Sequence, residues 1–265
     1  MGHISRLVLV CVLGSRSIVA QQANPLDSPT DTPPPVTAPE PEAAISPAGW
    51  VKNIVYDQKP VWTFPAKVAR GKHWKAVLGV AVGTAALVVL DPYTEPYFHN
   101  DSRFGSYKTG PLRGRNTTLA VTLTPVGFYV LGLAKHSTYT RNTGLLAAEG
   151  LVGTQVISFV MKQSVGRLKP SDIPQDGNLR DTWFKYKGGL SNGGGFPSGH
   201  TASAFAVATV IAERYRKHRW VPWAVYGTAA IVSLSRLPAQ AHFPSDIFIG
   251  AAMGYSFSHF VVLRR

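Results

Sequence analysis

Six apolar stretches follow one another toward the C-terminus, at residues 76–90, 117–134, 145–161, 201–212, 221–234 and 247–263. Each outlasts an ordinary strand and is rich in Ala and Leu, so each predicts a helix. None shows a clean polar face, although Glu149, Gln155 and Ser158 interrupt the third. A helix that is apolar all round is either buried in a bundle or faces lipid. No internal repeat is evident, and no stretch alternates well enough to build a sheet. The fold class is therefore all-α, a six-helix bundle occupying residues 67–265.

Composition narrows the partners. The 265 residues are 45% hydrophobic and 15% charged, fewer charges than a typical soluble surface carries. Lys and Arg number 27 against 14 Asp and Glu, a net charge of +13 that favours anionic partners. The cations sit in short loops between apolar segments and form no basic stripe with interleaved aromatics, which argues against nucleic acid. The one cysteine, Cys11, rules out a disulfide framework or a thiolate metal site in the bundle.

Before the bundle, residues 1–20 read as a signal peptide: a weakly basic start, an apolar run at 7–13 and a small residue, Ala20. Residues 21–66 read as a disordered linker, rich in Pro, Ala, Ser and Thr over 21–47. The loops at 67–75, 135–141 and 214–219 and the terminal Arg264-Arg265 are basic, and in an up-down bundle they share one side. If they are cytoplasmic, the chain is an inner-membrane protein with its other loops outside. If the signal is cleaved, a periplasmic bundle follows. Both readings place the protein in the cell envelope with the opposite loops outside the cytoplasm.

Three clusters exceed what packing requires. Lys162-Gln-Ser-Val-Gly-Arg167-Leu-Lys169-Pro170 follows the third apolar stretch, and alone it reads as cations compensating a helix C-terminus. Gly193-Gly-Gly-Phe-Pro197-Ser198-Gly199-His200 opens the fourth, where Ser198 is a natural N-cap and the free N–H groups make an anion site. Ser235-Arg236-Leu-Pro-Ala-Gln-Ala-His242-Phe-Pro-Ser-Asp246 leads into the sixth, where Pro244 and Asp246 suit a helix start and leave Arg236 and His242 unexplained. An up-down bundle gathers all three at one end. Together they supply cations, N–H donors, two histidines and a carboxylate, the inventory that phosphoryl transfer needs.

These clusters resemble the motifs of the type 2 phosphatidic acid phosphatases, a superfamily shared with vanadium haloperoxidases and bacterial nonspecific acid phosphatases. Its patterns are K-x6-R-P, P-S-G-H and S-R-x5-H-x3-D. The second and third match in full, and the first matches at Lys162 and Pro170 with Lys169 where the family has Arg. The resemblance implies that His242 attacks phosphorus, that Asp246 orients its ring, and that His200 is acid and then base. It implies that Lys162, Lys169, Ser198, Gly199 and Arg236 hold the phosphoryl oxygens. No cofactor and no metal are expected. The implied activity is metal-independent hydrolysis of a phosphate monoester or diphosphate, favouring a lipid phosphate, through a phosphohistidine at the periplasmic face. Vanadate-dependent halide oxidation and a soluble nonspecific acid phosphatase are the alternatives, with a catalytically dead binding protein a third class. The remaining histidines read as loop or core residues, His259 among them. Specificity is expected from the first two helices and the 174–195 loop.

Overall fold

The computed structural model describes residues 42–99, 105–174, 177–186 and 194–264, so the signal segment and the first half of the linker lie outside the described residues. Contacts divide the chain into two units, Met1–Glu40 and Pro41–Arg265, and the second holds every described residue. Within it the elements are helical throughout: α1 (Pro47–Tyr56), α2 (Gln58–Trp62), α3 (Phe64–Ala69), α4 (Trp74–His99), α5 (Gly105–Thr109), α6 (Gly114–Ala134), α7 (Thr138–Val165), α8 (Gly199–Arg214), α9 (Trp220–Leu234) and α10 (Pro244–Phe257). A 3-10 turn spans Pro170–Asp172, and a π-helical turn, Ser258–Val262, continues α10. Each of the six apolar stretches falls on one long helix, α4 and α6 to α10. The shorter helices are additions that hydrophobic periodicity does not announce.

The linker boundary needs correction. Composition predicts disorder through residue 66, and the structure makes residues 47–69 into α1 to α3. Ser46 caps α1 through Gly49 N at 3.1 Å, and Pro47 suits its first position. The segment is then tied to the start of α7: Ile45 N donates to Asn142 Oδ1 at 3.1 Å, and Trp50 Nε1 donates to the Leu145 carbonyl at 2.8 Å. Val61 of α2 packs against the core. Such long-range anchors are invisible to local composition.

Caps and glycines set the bundle. Ser137 caps α7 through Thr140 N at 3.2 Å, and Gly166, at φ 54°, ends it in the left-handed conformation. A Cβ on Gly144 would lie 2.6 Å from the backbone of α6, and one on Gly254 would lie 2.2 Å from Ala202 O of α8. α6 with α7, and α8 with α10, therefore touch backbone to backbone. The core between them holds Leu146, Ala147 and Ile157 of α7, Val207, Val210 and Ile211 of α8, and Phe257 of α10. Burying each of the larger side chains contributes about 1.5–3 kcal/mol.

The outer helices present apolar surface outward. α4, α6 and the helix beginning at Thr138 are long and apolar enough to cross a membrane. α4 and α6 are largely unburied, with Val82, Val89, Leu123, Val126 and Val130 more than half exposed. Such continuous apolar exposure marks a surface that water does not normally cover.

Candidate active site

Three helix ends meet at one end of the bundle: the last turn of α7 and the first turns of α8 and α10. The starts of α8 and α10 are joined directly, because Ser198 N donates to the Asp246 carbonyl at 3.0 Å. Ser198 is fully buried and caps α8, its Oγ accepting from Thr201 Oγ1 at 2.9 Å and lying 3.4 Å from Thr201 N. The first free N–H groups of α8 then point to the space before the helix, an arrangement that suits an anion. Gly199 is held there by Gln155 of α7, whose Nε2 donates to the Gly199 carbonyl at 3.0 Å.

His242 is 4% exposed, in the loop between α9 and α10. Its Nδ1 lies 2.7 Å from the Gly195 carbonyl, an acceptor only, so Nδ1 carries the proton and Nε2 keeps its lone pair. The expectation that Asp246 orients this ring is modified by that geometry. Asp246 Oδ2 stands 3.7 Å from Nδ1, within ion-pair range and beyond hydrogen-bond range. The carboxylate instead accepts from Phe243 N at 2.8 Å and from Arg167 Nη1 at 2.6 Å.

His200, in the first turn of α8, faces His242 with ring centroids 6.5 Å apart. Its Nε2 lies 2.8 Å from Thr118 Oγ1 and 3.3 Å from the Gly114 carbonyl, both on α6. Thr118 Oγ1 donates to that same carbonyl at 2.9 Å, which leaves it to accept a proton from Nε2. Burial, reinforced by the charges of His242 and Arg236, pushes the His200 imidazole down to about 4. Burial likewise lowers His242, against the opposing pull of Asp246. Both shifts favour the neutral ring.

Arg236 is 1% exposed and braced by Ser235 Oγ, 2.8 Å from Nη2, and by the Leu112 carbonyl. Its Nη1 lies 3.0 Å from where a Cβ on Gly114 would stand, so glycine there lets the guanidinium reach the site. Lys162, half-buried near the end of α7, is close enough for its charge to act on His200 and His242 as well as on Lys169 and Asp246. Lys169 Nζ lies 5.9 Å from the centre of the Tyr186 ring. The eight residues singled out in the sequence thus gather at one end of the bundle.

Several parts of this site are given no role by the motifs, although Arg167 and Gln240 lie within the quoted clusters. Arg167 does not face the phosphate position; it is buried between Trp183 and Phe243, at 4.3 and 4.2 Å, and binds Asp91 of α4 and Asp246 at 2.6 Å each. Gln240, at φ 56°, fixes the His242 loop: its carbonyl accepts from Ser171 N at 3.0 Å and its side chain from Lys108 Nζ at 2.7 Å. Gly114 and Thr118 come from a helix start that carries no motif. Only proximity in the fold reveals them. His259, outside the site, is satisfied by Glu213 at 3.1 Å.

Known proteins resemble the part of the chain that holds these residues. The PAP2 superfamily profile matches residues 143–265. The chain is 30% identical over 118 residues to a lipid A 4'-phosphatase of Porphyromonas gingivalis, covering 44% of this chain and 48% of the relative. It is 35% identical over 94 residues to a lipid A 1-phosphatase of the same species, covering 35% of this chain and 17% of that one. It thus spans about half the length of the first of these relatives or less. The crystal structure of a transmembrane PAP2 type phosphatidylglycerolphosphate phosphatase from Bacillus subtilis superposes with TM-score 0.35 and 16% identity, covering 67% of this chain and 93% of that one. The PAP2 superfamily match runs from within α7 through the last helices and contains all eight candidate residues.

Proposed function

We propose that the protein is a metal-independent phosphatase of the cell envelope that hydrolyses a lipid phosphate through a phosphohistidine on His242. The carrying observation is the pairing of two histidines across 6.5 Å, one with its Nδ1 proton engaged by the Gly195 carbonyl, inside a ring of cations and helix N–H groups. His242 Nε2 attacks phosphorus while the bond to the leaving oxygen breaks. The protonated fraction of His200 gives that oxygen a proton, exchanging its contact with Thr118 Oγ1 for one with the leaving group. His200, now neutral, takes a proton from water, the hydroxide attacks phosphorus, the P–N bond breaks and phosphate leaves. Lys162, Lys169, Arg236, Ser198 and the Gly199 N–H stabilise the equatorial oxygens. Positive side chains here do the charge-neutralising work that a metal ion does elsewhere.

The lipid preference is supported by two features. The outer helices offer apolar surface beside the site, and the relatives are lipid A phosphatases by name. We take phosphorylated lipid A-type glycolipids as the first substrates to test.

The test is phosphate release from lipid A, phosphatidate, phosphatidylglycerolphosphate and a soluble aryl phosphate, with EDTA present, by wild type and His242→Ala. Release from a lipid by wild type and a loss of about 10³-fold or more in His242→Ala is expected. Equal release by the variant sinks the phosphohistidine, and inhibition by EDTA sinks the metal-independent step. Halide oxidation on adding vanadate, without phosphate release, would replace the reading.

A further inference from the structure

We infer that Asp91, on the long helix α4 and outside the matched residues 143–265, is a positioning residue of the active site: it shares the Arg167 guanidinium so that Asp246 keeps its negative charge for His242. The inference rests on the phosphatase reading.

Four buried groups form one network. Arg167 Nη1 donates to Asp246 Oδ1 at 2.6 Å and to Ser245 Oγ at 2.7 Å, while Nη2 donates to Asp91 Oδ2 at 2.6 Å. Ser245 closes the ring, its Oγ donating to Asp91 Oδ2 at 2.5 Å and its N–H to Asp91 Oδ1 at 3.1 Å. Arg167 is 1% exposed, and Asp91, Ser245 and Asp246 are 0% exposed. Thr182 Oγ1, 3.2 Å from Nε, and the rings of Trp183 and Phe243 fix the guanidinium plane.

The charge arithmetic decides what this network is for. One guanidinium against Asp246 alone would be a neutral buried pair, with little field left for His242 at 3.7 Å. A second carboxylate leaves the cluster one negative charge in excess, next to the ring that becomes cationic when it is phosphorylated. The ordinary reading is that Asp91 staples α4 to the bundle. Burying a carboxylate is an expensive staple, since the desolvation of each ion costs several kcal/mol that packed apolar groups do not incur. Packing between these helices is already present where Gly83 meets the Phe248 ring. A staple also has no need to share its cation with Asp246.

The test is a double-mutant cycle on kcat and KM with the lipid substrate. Asp91→Asn keeps the shape and one acceptor, removes the charge, and exchanges the other acceptor for an amide N–H. In the wild-type background it should lower kcat about tenfold or more, the scale of one charge-assisted interaction, with KM held within about twofold. In an Asp246→Asn background the same change should alter single-turnover kcat by less than about twofold. Asp91→Ser, which also removes the charge and keeps a short hydroxyl toward Arg167, repeats the cycle should Asp91→Asn not fold, with the same non-additivity expected. Unchanged kcat, or an equal loss in both backgrounds, overturns the inference and leaves Asp91 a staple. Failure of the phosphatase reading is separate, because it shows as no difference between wild type and His242→Ala.

Discussion

Burial lowers both site histidines, and the proposed mechanism asks opposite protonation states of them in its first step. His242 must be neutral to attack, and burial favours that form. His200 must be protonated to release the leaving group, yet burial holds it down at about 4. The protonated fraction of His200 therefore grows about tenfold for each unit that pH falls from 7 toward 5. We expect the rate of phosphoenzyme formation to rise in that direction. The substrate's second ionisation, near pH 6, remains in His200→Gln and is removed by comparison, so the residual acid rise should vanish in that variant. A wild-type rate that rises toward alkaline pH contradicts this assignment. Lys169 offers a second prediction. Lysine is a compact point charge and arginine a planar fork, so Lys169→Arg should lower KM for the phosphorylated substrate by about 2- to 10-fold, one or two extra hydrogen bonds; an unchanged KM places Lys169 outside the phosphate shell. The residues that carry side-chain chemistry in short spans are legible in the sequence: the Ser198 cap with His200 two residues on, and Arg236, His242 and Asp246 around a helix start. What holds them is not. The Gly195 carbonyl on His242 has no side chain to announce it, and Thr118 and Asp91 reach the site from helices whose sequences read only as apolar.

Element contacts decide how accurately those helix starts are placed. α8 and α10 approach so closely that a Cβ on Gly250 would stand 2.7 Å from Ser198 O, and one on Gly254 2.2 Å from Ala202 O. Backbone cannot retreat as a flexible side chain can. Both Gly→Ala changes should destabilise by about 1–3 kcal/mol, read as a lower melting temperature in detergent. They should differ in activity: Gly250→Ala displaces the residue that starts α8 and should also lower kcat, whereas Gly254→Ala acts a turn further from the site. Gly227→Ala on α9 is the control, because nothing lies within 4 Å of its Cβ and alanine favours the helix by about 0.5–1 kcal/mol. Equal melting temperatures for all three would show that the close packing is not limiting. At this scale the fold is largely readable. Length and apolar composition locate six long helices, and Ser198 and Pro244 mark two of their starts. The helices α1 to α3 escape such a reading because their order comes from Trp50, Ile45 and Val61 reaching the bundle. A Pro- and Ala-rich window averages such contacts away.

At the scale of the molecule, the two ends of the bundle differ in charge and role. The end opposite the site carries a cleft of about 860 Å³ lined by Arg214, Arg216, Lys217, His218 and Arg264, with Glu213 the acid among them. Glu42 belongs to this end, since its carboxylate accepts from Arg214 Nη2 at 2.7 Å and from Asn142 Nδ2 at 3.0 Å. Residue 42 and the basic loops therefore share a compartment, whichever it is. A cleaved signal would export residue 42 and carry the basic end out with it, against the positive-inside tendency. We propose the arrangement that satisfies both constraints: residue 42 and the basic cleft in the cytoplasm, and the histidines turned outward. Cys11 is the one native cysteine, so a Cys11→Ser background permits clean labelling. Lys185 stands on the exposed segment beside the site, and Ala44 and Lys217 are exposed at the other end. With a membrane-impermeant maleimide on intact cells, Lys185→Cys should label, and Ala44→Cys and Lys217→Cys should label only after lysis. Labelling of all three in intact cells would mean that no membrane separates the two ends, and the bundle would then lie beside the bilayer with only its apolar outer face engaged. Labelling of Ala44→Cys and Lys217→Cys alone would invert the site into the cytoplasm, where a lipid whose phosphate lies in the outer leaflet is out of reach of His242.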